Sequence, residues 1–122
     1  MLVDLQPKSV EKMIDDKDVI MIDIRREDEW FMTGVIKNAY LMTFFDEYGN
    51  HNVNEWMKEF EKIVSSKDTT IVLICAHANR TRSVGNFLLD QGYKNTAHLF
   101  GGMAQWLREL REVVPYQNNK EA

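Results

Sequence analysis

The sequence predicts an α/β domain with a central parallel sheet and helices on both faces. Short β-branched runs alternate with amphipathic stretches along the chain, the order that produces strand–helix–strand units. Two of those runs, residues 19–24 (VIMIDI) and 69–74 (TTIVLI), are almost unbroken in apolar character, as strands covered on both sides must be. The 122 residues, 44% apolar and 11% aromatic, supply the core of one domain and exclude global disorder.

The elements follow in order. Pro7, Ser9, Val10, Met13 and Ile14 predict a short helix opened by proline. The strand at 19–24 comes next, then a brief helical stretch over 27–32 that stops at Gly34. Residues 39–42 predict a further short strand, and a polar loop runs through 46–50. Val53, Trp56, Met57, Phe60, Ile63 and Val64 recur at helical spacing and mark an amphipathic helix. The strand at 69–74 leads into a small, polar loop at 75–80. Thr81 or Ser83 is suited to cap a helix running to about Gln91, with Gly92 beyond its end. Residues 96–100 predict a strand, and Gly101-Gly102 opens a helix carrying Met103, Trp106, Leu107 and Leu110 on one side. Trp30, Trp56 and Trp106 read as core anchors, and the polar stretch from Pro115 as a frayed tail.

Composition narrows the function. Fifteen Lys and Arg against 19 Asp and Glu give a net charge of −4, a poor footprint for nucleic acid. The longest apolar run, 71–75, is far shorter than the ~20 residues a membrane-spanning helix needs. The N-terminal MLVDLQPKSVEK lacks a signal-peptide pattern, and the single cysteine has no internal disulfide partner; a soluble cytoplasmic protein is expected. His51 and His98 have no partners at ligand spacing, so neither a metal nor another cofactor is expected.

One segment stands apart. No acidic residue falls between Asp68 and Asp90, while His77, Arg80 and Arg82 do. Cys75 lies in this cationic stretch, after a buried strand and before a helix. Ligands of open α/β sheets bind beyond the carboxyl ends of the strands. Loop amides and a helix N-terminus concentrate positive potential there, which favours a thiolate, the reactive form of cysteine.

These residues carry a resemblance. Cys75-Ala76-His77-Ala78-Asn79-Arg80 resembles the active-site loop of the rhodanese (sulfurtransferase) family, here of single-domain type. The segment Ile22-Asp23-Ile24-Arg25 with Glu29-Trp30 is similar to that family's first central strand. Gly34 to Ala39 is similar to its "GHIPGA" segment, with Val35 and Lys37 in place of the histidine and proline. Gly92-Tyr93, His98 to Gly102 and Trp106 are similar to its closing motif. The resemblance implies a rhodanese-like domain over 1–112 and a polar tail over 113–122.

It also implies the chemistry. Cys75 would take a sulfane sulfur from a donor such as thiosulfate, become a persulfide, and pass the sulfur to cyanide, a thiol or an acceptor protein. Residues 76–80 would form the substrate loop: Arg80 completing the cradle or binding an anionic donor, and Asn79 supporting a tight turn. His77 is either a donor to an anionic substrate or a plain exposed loop residue. Arg82 is either part of the anion site or a solvated helix residue. Asp23 and Arg25 would organise the rim. Two other readings stand beside this one: a catalytically silent rhodanese-like binding module, and a cysteine phosphatase or arsenate reductase. The phosphatase signature holds one residue more between its cysteine and arginine than the four found here between Cys75 and Arg80.

Overall fold

Ile71, Leu73 and Cys75 face one side of the sheet and Val72 and Ile74 the other, so a single central strand feeds two cores. The computed structural model describes residues 1–117. The elements run β1 (Val3–Leu5), α1 (Pro7–Glu11), β2 (Val19–Asp23), α2 (Glu27–Thr33), β3 (Tyr40–Leu41), α3 (Val53–Ile63), β4 (Thr70–Ile74), α4 (Asn79–Asp90), β5 (Thr96–Leu99) and α5 (Gly102–Arg108). The five strands form one sheet ordered β1-β5-β4-β2-β3, with every neighbouring pair parallel.

Helices cover both faces, as the alternation of elements requires. On one face α3 and α4 set Trp56, Phe60, Val84 and Leu88 against Ile22, Ile24, Ile71 and Leu73. On the other, Val10 of α1 and Met103 and Trp106 of α5 pack on Met21, Val72, Ile74 and Leu99. Phe60, Leu88 and Leu99 are wholly buried, each stabilising by roughly 1.5–3 kcal/mol relative to exposure. All three tryptophans are buried. Asn52 caps α3 by accepting from the Glu55 amide at 3.1 Å. Among the described residues no helix is long and apolar enough to cross a membrane.

Several local expectations need correction. β1 carries no signal in the sequence, because a three-residue, largely exposed edge strand has no periodicity to read. The helix α4 begins at Asn79, not at a cap on Thr81 or Ser83. Ala78 is its N-cap, in left-handed backbone (φ 69°), and the Thr81 hydroxyl is engaged in the interior instead. Asn79 is therefore a helical residue, and the tight turn expected of it is made by Ala78 in left-handed backbone. Met13 and Ile14 lie beyond the end of α1, and Leu110 lies beyond α5, exposed and itself left-handed at φ 57°. Past α5 the chain is held: Val114 bridges Val35, and the Tyr116 ring packs edge-on against Trp30 and Phe31. The rest of the expected tail, 118–122, lies outside the described residues.

Candidate active site

β2 and β4 end side by side. Asp23 and Ile74 are register partners, and the Ile24 amide donates to the Ile74 carbonyl at 2.9 Å. The chain therefore delivers Arg25 and Cys75 to the same carboxyl edge of the sheet.

The loop after β4 is shaped from below by α5. The Met103 amide donates to the Cys75 carbonyl at 2.8 Å, and the Ala104 amide to the Ala76 carbonyl at 3.0 Å. In a trans peptide the carbonyl and the following N–H point opposite ways. With those carbonyls drawn toward α5, the amides of Ala76 and His77 face away from it. The left-handed turn at Ala78 then joins the loop to the first turn of α4, whose leading amides have no intrahelical acceptor. This close approach depends on Gly102. A Cβ there would stand 2.5 Å from the Cys75 and Ala76 carbonyl oxygens, and its φ of +62° favours glycine.

Cys75 does not lie on the surface of this loop. It is only 1% exposed and belongs to the core that also holds Val84 and Leu88 of α4. Its Sγ is 3.3 Å from Thr81 Oγ1, which in turn is 2.8 Å from His98 Nδ1. His77 and Asn79 are exposed, Ala76 and Arg80 half-buried, and Ala78 buried. Outside the loop a shallow cleft of about 450 Å³ is lined by Arg26, Phe45, Asp46, Asn79, Arg80 and Ser83.

The charged residues pair in a pattern that spacing along the chain did not reveal. Arg80 donates through both terminal nitrogens to Glu29, at 2.7 and 2.8 Å. Burial works to raise the Glu29 carboxyl, but the Arg80 hydrogen bonds and the Arg26 amide outweigh it and hold the group at about 2. Arg80 is held above its already high range mainly by Glu29, with Cys75 and Asp23 adding to its positive charge's stabilisation. Asp23 and Arg25 form a buried ion pair at 2.8 Å. Arg25 also donates to Thr33 Oγ1 at 2.8 Å and to the Gly34 carbonyl at 3.0 Å, locking β2 to α2. Arg82 is exposed on α4 and is not brought to the thiol.

Four residues of the site were read in the sequence only as motif, capping or helix-opening positions, with no role in the site: Glu29, Thr81, His98 and Gly102. His98 left a trace, a polar residue in the otherwise buried Thr-Ala-His-Leu strand. Glu29 left none. Among the described residues, no group of three or more His, Cys, Asp or Glu side chains is placed to hold a metal ion.

An all-parallel α/β sheet with a cysteine loop at the carboxyl end of a central strand, closed by a glycine-opened helix, defines a loop-cysteine domain. The chain belongs to the rhodanese-like domain family, whose model matches residues 6–109. It is 28% identical over 109 residues to a tRNA uridine(34) hydroxylase of Photorhabdus laumondii, covering 88% of this chain; it spans only 29% of that relative's length. Among solved structures it is similar to the polysulfide-sulfur transferase homodimer of Wolinella succinogenes, with a TM-score of 0.74, 25% identity, and 97% of this chain and 82% of that one covered. A thiosulfate sulfurtransferase of Pseudomonas aeruginosa shares the fold, with a TM-score of 0.76, 20% identity, and 96% of this chain but 21% of that one covered.

Proposed function

We propose that this protein is a sulfurtransferase that carries a sulfane sulfur on Cys75. The observation that carries the reading is the placement of the chain's single cysteine at the carboxyl end of β4. There the Cys75 and Ala76 carbonyls are drawn toward α5, and the loop runs through Ala78 into the first turn of α4. The thiolate attacks the outer sulfur of a donor such as thiosulfate. The donor's S–S bond breaks, sulfite leaves with the bonding pair, and Cys75 becomes a persulfide. A thiolate or cyanide then attacks the terminal sulfur and regenerates the Cys75 thiolate. The persulfide carries negative charge, which the loop amides and the Arg80 side of the cleft accommodate. Cys75 is only 1% exposed, so uptake of the donor requires the site to open.

The test is intact-protein mass spectrometry after incubation with thiosulfate, alongside thiocyanate production from thiosulfate and cyanide. Gain of one sulfur at Cys75 with turnover supports the proposal. A protein that gains no sulfur from any sulfane donor, and whose thiol alkylates no faster than a free thiol, is the silent binding module instead; the deep burial of Cys75 is what keeps that reading in play.

A further inference from the structure

The thiol of Cys75 begins a polar chain that crosses the sheet to solvent. Cys75 Sγ contacts Thr81 Oγ1 at 3.3 Å, Thr81 Oγ1 contacts His98 Nδ1 at 2.8 Å, and His98 Nε2 lies 2.5 Å from Asp4 Oδ1. Sheet register builds the far end: His98 on β5 is paired directly with Asp4 on β1 and with Leu73 on β4. His98 is wholly buried, whereas Asp4 is about half exposed at 49%. The carboxylate stands off the axis of the Nε2–H bond, so the contact is a close electrostatic one and not an aligned hydrogen bond.

We infer that Cys75 is deprotonated through Thr81 by His98, with Asp4 holding the imidazole in the tautomer that accepts the proton. This deepens the reading of Cys75 as the nucleophile and rests on it. A carboxylate this close to Nε2 requires the ring proton there, which leaves Nδ1 as an acceptor. Thr81 then donates to Nδ1 and accepts from the thiol. Activation moves the thiol proton to Thr81 Oγ1 as the Thr81 hydroxyl proton moves to Nδ1. The S–H and original Oγ1–H bonds break, new Oγ1–H and Nδ1–H bonds form, and the S–H electron pair stays on sulfur. The product is a thiolate accepting from Thr81, with an imidazolium between it and the Asp4 carboxylate.

The charges around His98 fit this cycle. Burial lowers its proton affinity below the ordinary histidine value, Asp4 on β1 raises it, and Arg82 on α4 lowers it further, so the resting ring is neutral and ready to accept. β4 presents Leu73 there and α5 covers the opposite face of the sheet, so Asp4 and Arg82 are the charges that tune the ring. Thr81 touches the reacting sulfur; His98 and Asp4 act through it as positioning residues.

The experiment follows alkylation of the single cysteine by iodoacetamide against pH in the wild type and in Thr81→Val, Thr81→Ser, His98→Gln and Asp4→Asn, each checked for folding by circular dichroism. In Thr81→Val and His98→Gln the pH of half-maximal rate is expected to rise by about one unit, a tenfold loss of reactive thiolate below it. Asp4→Asn shifts the profile less in the same direction, and Thr81→Ser restores it. Should His98→Gln fail to fold, the Thr81 pair and the surface-exposed Asp4→Asn decide the matter. Profiles of Thr81→Val and Asp4→Asn that overlay the wild type would overturn the relay. Shifted profiles in a protein that never takes up sulfur would sink the sulfurtransferase reading and leave the relay standing.

Discussion

Arg80 grips the Glu29 carboxylate with both terminal nitrogens, at 2.7 and 2.8 Å, and so ties the first turn of α4 to α2. Both partners are largely shielded from solvent, with side-chain exposures of 23% and 17%. The clamp gives the loop after β4 a fixed wall, and it makes the charge at the mouth of the site a property of two residues.

The first prediction is a pH dependence of stability. Glu29 is held at about 2 in the folded chain against 4.5 ordinarily, so its contribution is complete above 4.5 and is lost as pH falls toward 2. The contribution at neutral pH is at most about 3 kcal/mol and smaller after solvent screening. Urea midpoints of Glu29→Gln should lie below wild type at neutral pH and converge with it in acid. A constant gap across that range would mean the carboxylate's charge is irrelevant.

Arg80→Ala leaves the Glu29 carboxylate unpaired beside the site. Transfer from thiosulfate is expected to slow by about one to two orders of magnitude, the equivalent of roughly 1.5–3 kcal/mol. A neutral donor should suffer less, and Arg80→Ala with Glu29→Gln should recover most of that discrimination. Steady-state rates with an anionic and a neutral donor measure both effects. Equal losses in the single variant would make Arg80 purely structural.

Gly102→Ala tests how closely α5 must approach the loop. The new Cβ would meet the Cys75 and Ala76 carbonyl oxygens at 2.5 Å in a backbone conformation that disfavours side chains. A loss of about 2–4 kcal/mol is expected, together with a reduced rate in whatever fraction remains folded. Thermal melts and single-turnover rates read the two separately. A variant as stable as wild type would show that the α5–loop contact is adjustable.

Arg25→Lys removes the planar fork that joins Asp23, Thr33 and Gly34. A lysine keeps the charge but cannot span these acceptors, so destabilisation of about 3 kcal/mol is expected, near that for breaking a buried pair. Denaturant unfolding is the measurement, and a loss within error of zero would contradict the bracing role.

Cys75→Ser is expected to keep the fold, since oxygen replaces sulfur in a site where Thr81 Oγ1 already offers a hydrogen bond. Thiocyanate production should fall to background because a hydroxyl forms no persulfide. Residual turnover at the wild-type rate would move the chemistry elsewhere.

Much of this molecule is determined locally, and that part was legible from the chain alone. Unbroken β-branched runs mark strands covered on both faces and a period-3.6 apolar stripe marks a helix, so VIMIDI, TTIVLI and the Trp56–Phe60 stripe announce β2, β4 and α3. Cys75 is placed by the same logic, as the residue that follows a buried strand and precedes a helix. Asp23 and Arg25 were singled out by the resemblance, and their ion pair joins residues only two apart. What the tertiary structure alone decided is which distant residues meet. Arg80 finds Glu29 across 51 residues, and Thr81 finds His98 across 17. The placement of β1 beside β5 then sets Asp4 against His98. The burial of the Cys75 sulfur belongs with these. Partner choice depends on sheet order and register, which arise from summed packing of both cores, and no short window of sequence contains that sum.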